Sequence, residues 1–358
     1  MFGRCFFVFS IIVVSGAAAA DTGYPRLVET VVDRLELPSL EQLSATLPEL
    51  AEATSILCTS QNEENWSRVE DAFHEVMNAW QIAQIYAFGP LVRKGRFSRV
   101  HFWPGRVGSA NRYVRKILNS KPDDLTNPME IGNKSVAIHS LAAYERFLFS
   151  GEEGRVTHKI DPYQCHVAIA ISEFQKGLIA EAPNEWKGPK GFRETLLKPD
   201  ANNPSYRTSR NAANDIFGLL AGGLERIARL KLRRALGTSI DKVKPWRLEN
   251  WRSRRAKRNL LINTLTLKTL VSARGGVGAL LRNKSGGAEA NQIDRSLLHI
   301  EQRLTNLPEP VYISIADEEG WREMDNLHAE IEKLLRMTTG PVAEKLGLVV
   351  GFNLLDGD

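Results

Sequence analysis

Three cysteines in 358 residues are too few to build a fold from cross-links. Beyond residue 20 no apolar run approaches the roughly 20 residues that a membrane-spanning helix needs, so the mature chain has no transmembrane segment. Strand patterning is almost missing, and Val311 to Ile315 is the only short candidate. No sign of charge dominates, with 47 basic against 42 acidic residues and a formal net charge of +5. That excess permits anionic partners without demanding nucleic acid. The HExxH pair of zinc helices and the G-x-S-x-G turn of serine hydrolases are absent. Gly275-Gly276-Val277-Gly278 lacks a GK[ST] ending and a preceding strand, and reads as a helix end and turn.

What is present begins with an address. Arg4 precedes an apolar core from Phe6 to Val14, and Ala18-Ala19-Ala20 fits a cleavage site. Residues 1–20 therefore read as a signal peptide, which places the mature chain in the periplasm or cell envelope. A nucleic-acid partner is unsuited to that compartment. Of the cysteines, Cys58 and Cys165 remain after cleavage, and an oxidising compartment lets them pair as a disulfide or stay as two buried thiols.

The rest is helical. Trp66, Val69, Phe73, Val76, Trp80, Ala83 and Ala87 step by threes and fours along one stripe, stopped by Phe88-Gly89-Pro90. Further stripes run from Tyr163 to Leu178, from Ile216 to Leu230, from Ile293 to Leu307, and from Trp321 to Leu334, the last ended by Gly340-Pro341. Asp161 with Pro162 marks a helix start, and Ser39 with Gln42 has capping-box spacing. Each stripe must be buried, and successive helices bury their stripes against one another. The expected fold is all-α: two packed helical bundles over 21–185 and 206–358, joined by the proline- and glycine-rich segment 186–205.

Two places carry candidate chemistry. Glu145 lies near the buried edge of an apolar helix face made by Leu141, Tyr144, Leu148 and Phe149, and a carboxylate there needs a partner. It reads as a ligand or metal contact, or as half of an ion pair with a distant arginine. His139 is six residues away, about 240° around the helix, which is unsuited to sharing a metal with it. His328 with Glu332 reads as a surface pair, and His166 with Glu173 shares a face without completing a zinc site. The second place is Pro245 to Asn259, where five arginines and a lysine form a basic patch. Most of these charges read as solvated helix surface. Arg252 and Ser253 beside Trp251 are the exception: an arginine there could grip Glu145 or an anionic ligand. The loop from Phe88 to Arg106 adds Phe102 and Trp103 between basic residues.

The chain resembles the imelysin-like proteins of bacterial cell envelopes, which are linked to iron uptake and also filed as peptidases. The resemblance rests on Ala79-Trp80 through Pro90, on Phe102-Trp103-Pro104 with Arg106, and on Leu141 to Gly151. It also rests on Glu249-x-Trp251-Arg252-Ser253 and on Gly351-Phe352-Asn353 with the closing Asp356-Gly357-Asp358. It implies two helical bundles with a functional cleft where they meet, and it places Cys58 and Cys165 where one subgroup has cysteines. The family motif G-x-H-x-x-E would put a histidine at position 142. Here Ala142 stands there and only Glu145 remains, which argues against a peptidase. The resemblance implies a cleft lined by Glu145, Trp103, Arg252 and Ser253, with Arg146 matching the subgroup. The resulting expectation is a non-enzymatic periplasmic protein that binds an iron species or a small anionic iron complex, with Glu145 as a candidate metal contact. A metallopeptidase, or an envelope scaffold that binds a protein partner, is the alternative.

Overall fold

The computed structural model describes residues 23–105, 109–149, 159–203 and 205–350. The expected signal peptide, Arg106, Gly151 and the closing 351–358 motifs lie outside the described residues. Among the described residues helices dominate and no β-strand forms. No described helix is long and apolar enough to cross a membrane.

Helix α1 (Gly23–Val31) passes through a π-helical turn, Val32–Glu36, into α2 (Leu37–Thr59). The Ser39 hydroxyl donates to the Glu36 carbonyl at 2.7 Å inside this continuous helix, so Ser39 and Gln42 do not cap a start. Helix α3 (Glu63–Ala83) begins at Asn62, whose side chain accepts from Asn65 N. It ends before Ala87, which is buried in the following loop instead. Helix α4 is Leu141–Leu148, and α5 is Pro162–Ala180, capped by Asp161. Helix α2 packs against both α3 and α5. The Cys58–Cys165 disulfide fastens α2 to α5, and the Thr54 and Tyr144 hydroxyls share a 2.6 Å hydrogen bond between α2 and α4.

The second group comprises α6 (Ser209–Glu225), α7 (Ala256–Ser272), α8 (Gly287–Asn306) and α9 (Glu318–Met337). Helix α8 lies between α7 and α9, and α9 also packs on α6. The predicted stripes turn inward: Ile293, Leu297, Ile300 and Leu304 meet Met324, Leu327, Ile331 and Leu334 in the core. Burying each such side chain contributes about 1.5–3 kcal/mol against the cost of ordering it. Helix α1 packs on α6 in this second group, and the Tyr24 hydroxyl donates to Leu346 O at 2.7 Å.

Two further expectations about local structure fail for identifiable reasons. Val311–Ser314 forms one helical turn, because the short Val-Tyr-Ile-Ser-Ile stretch after Pro310 carries too little periodicity to separate strand from helix. Gly340-Pro341 does not end its helix. Thr338–Val342 widens into a π turn that takes Pro341 inside it, and the helix continues to Leu346. Gly347, at φ 64°, makes the actual stop.

The two groups meet where α3 packs on α7. Helix α6 runs into a π-helical segment, Arg226–Arg233, that faces this junction. A π segment shifts the register of the side chains that follow it. Here it delivers Arg226 and Lys231 to buried positions.

Candidate functional site at the junction

Glu145 is 4% exposed on α4, on the first side of the junction. One of its oxygens, Oε1, accepts from the Ser253 backbone N–H at 3.0 Å and from the Ser253 hydroxyl at 2.7 Å. Ser253 belongs to a compact loop between the short helix Pro245–Arg247 and α7. Asn250 and Arg254 adopt left-handed φ values of 50° and 56° there, which folds the loop back on itself. The Asn250 carbonyl accepts from Arg255 N at 3.0 Å and from the Ser253 hydroxyl at 3.3 Å. The basic stretch is thus a structured loop followed by a helix start, not an exposed helix face. Arg255, taken from sequence as solvated surface, is 1% exposed and donates to Asn78 Oδ1 at 2.7 Å, with its Nη1 2.9 Å from His74 Nδ1.

Arg252 is half-buried and lies over the Trp251 ring, 4.5 Å from its centroid. Burial lowers its pKa, and the charge of Glu145 opposes that change. Arg146 donates to the Ala142 carbonyl one turn back. Burial lowers its pKa to about 10, with Arg252 adding repulsion and Glu145 opposing. Glu145, Ser253, Arg252 and Arg146 therefore belong to one neighbourhood. Trp103 lines a pocket with Phe97, Phe102, His101 and Arg226, and His101 in that lining is within electrostatic reach of Glu145 and Arg146.

Behind the Glu145–Ser253 contact lies a buried polar network that the sequence reading missed. Lys231 Nζ sits 2.6 Å from Glu249 Oε2 and 2.6 Å from Gln81 Oε1. Gln81 Nε2 and Asn259 Nδ2 also donate to Glu249 Oε2, at 3.1 and 2.9 Å. His101 Nδ1 lies 3.6 Å from the other oxygen of Glu249. Burial drags the Lys231 pKa down to about 8, although the Glu249 charge resists. Burial alone would raise the Glu249 carboxyl, but Lys231, His101 and the hydrogen bonds from Lys231 and Gln81 outweigh it and hold it below the usual carboxylate range. His101 is driven down to about 4 by burial, against the pull of Glu249 and Glu145, and is neutral at pH 7. Only Glu249 gave a hint in the sequence, as the first residue of the Glu249-x-Trp251-Arg252-Ser253 block. Gln81, Lys231 and Asn259 sit on amphipathic helices where a polar residue looks like surface.

The chemistry of this junction is cationic. Lys231, Arg146, Arg252 and Arg255 lie within electrostatic reach of Glu145 or Glu249, and Arg255 also of Arg258 and Glu75. No three His, Cys, Asp or Glu side chains gather as a metal ion would require, among the described residues. His328, read from sequence as half of a surface pair with Glu332, is buried, with Nδ1 2.7 Å from Arg233 Nη2 and Nε2 4.0 Å from Glu332 Oε1, and Glu173 pairs with Lys176 at 2.5 Å. A hydrated divalent cation fits poorly beside four positive groups, whereas an anion fits well.

Known proteins share this architecture. A crystal structure of an imelysin-like protein from Psychrobacter arcticum superposes with a TM-score of 0.78 at 15% identity, covering 93% of this chain and 98% of that one. A putative iron-regulated protein A precursor from Parabacteroides distasonis superposes with a TM-score of 0.76, also at 15% identity, covering 93% and 97%. In sequence, iron-regulated protein A of Synechococcus elongatus is 20% identical over 304 residues, which is 82% of this chain and 79% of that protein. The family model for imelysin, peptidase family M75, matches residues 36–337, and with most of the chain so covered the protein belongs to the imelysin family.

Proposed function

We propose that this imelysin is an exported binding protein that takes up an iron species as a small anionic complex at the junction of its helical groups. The observation that carries the reading is that the Arg146 and Arg252 guanidiniums both lie within electrostatic reach of Glu145, beside its contact with Ser253. An iron chelate such as ferric citrate is anionic, and its oxygen donors already satisfy the hard metal. The protein then needs cations and hydrogen-bond donors rather than a full ligand set. In this reading the regions 21–185 and 206–358 form the two walls, except that α1 packs with the second. Arg252 grips the anion, with its plane held against Trp251. Glu145 fixes the loop that carries Arg252 by holding Ser253. Glu145 therefore acts as a positioning residue and not as a metal ligand. The iron-regulated relative supports the choice of cargo, and the expected signal peptide supports export to the periplasm.

Calorimetric titration with ferric citrate, citrate, ferrous iron and zinc tests this. Saturable binding of ferric citrate by the purified protein, weakened at least tenfold in Arg252→Ala and in Glu145→Ala, is the expected result. Zinc as the only tight ligand, together with chelator-sensitive peptide cleavage, would replace the reading with a metallopeptidase. No binding by the folded protein would shift the weight to an envelope protein partner.

A further inference from the structure

The stretch from Val76 to Pro122 holds no aspartate or glutamate in 47 residues, against nine lysines and arginines. The chain's 42 acids in 358 residues would place about five there. The cations divide by what they hold. Lys94 and Arg96 pair with Glu185, Arg99 donates to Gly132 O at 3.1 Å, and Lys121 pairs with Asp161 at 2.9 Å. Arg93 lies over the Phe192 ring. These fasten the segment to the body of the protein.

Arg112, Arg115 and Lys116 do not. They lie exposed on the helix Ser109–Ser120, and their side chains make no ion pair or hydrogen bond among the described residues. At 3.6 residues per turn the three share an outward arc of about 100°. Tyr113, 44% exposed, stands at the edge of that arc. The opposite face carries Val114 and Ile117, both buried, and the helix packs on the turn Val136–His139 and on α4. The next acids along the chain, Asp123 and Asp124, follow the end of the helix, and Asp124 is paired with Lys134 at 2.5 Å. Like charges three and four residues apart destabilise a helix, and an anionic surface turns that repulsion into attraction.

We propose that this face docks the protein on an anionic lipid surface. A convex helix face presents its three cations to a plane of headgroups at once, whereas a small anion needs a concave site to enclose it. The apolar side of the helix is already used inside the protein, so attachment is electrostatic and reversible. Tyr113 reaches headgroup level, where tyrosines are favoured. Each cation near such a surface raises affinity roughly fivefold. The expected export of the chain places it among the membranes of the envelope.

Co-sedimentation of the purified protein with vesicles tests this. Vesicles of equal parts phosphatidylglycerol and phosphatidylcholine bind the protein at low salt, and vesicles of phosphatidylcholine alone do not. Molar salt, which shortens the screening length to about 3 Å, releases it. Arg112→Gln and Lys116→Gln each weaken binding about fivefold, and together about 25-fold, with the circular dichroism spectrum unchanged. Lys242→Gln combined with Lys244→Gln removes the same charge from another exposed loop and changes binding by less than about twofold. Equal losses in the two double variants would mean that net charge alone attracts the protein, and would overturn the proposal. Equal binding to phosphatidylcholine would overturn it as well. So would failure to bind anionic vesicles at low salt, which leaves this face to an acidic protein partner.

Discussion

Ser253 gives both its backbone N–H and its hydroxyl to a single oxygen of Glu145, a residue 108 positions earlier in the chain. The contact closes the junction between the two helical groups and sets the position of Arg252. Ser253→Ala removes only the hydroxyl, so it should cost about 1.5–3 kcal/mol, the range for a hydrogen bond to a charged group. Glu145→Ala removes both bonds. A double-mutant cycle by urea unfolding should give a coupling of about 1 kcal/mol or more between the two sites. Additive losses would show that the contact does not hold in solution.

The Lys231–Glu249 pair is 2% exposed on both sides. Lys231→Met strands the buried Glu249 carboxylate and should destabilise by about 3–5 kcal/mol. Adding Glu249→Gln should recover a large part of that loss, because no charge is then left behind. Chemical denaturation of the single and double variants checks the order.

Acid should destabilise the fold in two stages. Burial lowers the pKa of His101 and of His139 from 6.5 to about 4. Between those values the unfolded chain binds more protons, so stability falls as pH drops, by about 1.4 kcal/mol per pH unit for each histidine. Glu185 is held near 2 chiefly by its hydrogen bond from Arg96. Its contribution is complete above 4.5 and is lost as pH falls through that lower range. Unfolding curves from pH 7 to pH 3 should show the first loss already above pH 5, and His139→Gln should reduce it.

Glu36 behaves in the opposite sense. Its side chain is fully buried in the π turn between α1 and α2, and neither carboxyl oxygen has a hydrogen-bond partner among the described residues. Burial raises its pKa well above 4.5. An acid with a raised folded pKa makes the fold less stable as pH climbs above its unfolded value. Glu36→Met should therefore stabilise the protein more at pH 8 than at pH 5. An equal gain at both values would mean that the carboxyl is not buried.

The disulfide from Cys58 to Cys165 spans a sequence separation of 107. Replacing both cysteines by alanine should cost about 5 kcal/mol in the chain-entropy account. Circular dichroism should retain the helical signal, since α2, α3 and α5 also share an apolar core.

The sequence by itself determined the helical class, the buried stripes and most helix lengths. Apolar residues at threes and fours leave a chain no other way to cover them, as Trp66 through Ala83 and Ile293 through Leu304 illustrate. It also singled out Glu145, Arg252 and Ser253, because a carboxylate on a buried face and an arginine beside a tryptophan both demand partners. Periodicity is a local signal, so it could not say where Gly340-Pro341 would be absorbed into a π turn, or that Glu36 would be sealed in another. The tertiary structure alone decided the site's composition. Gln81, Lys231, Glu249 and Asn259 are distant in sequence and ordinary in type, and they become a buried network only because α3, the π segment and α7 converge on one point. The same convergence places Trp103 in one pocket lining with His101 and Arg226. Which polar group meets which is fixed by the packing of whole helices, and that is a property of the folded chain and not of any segment of it.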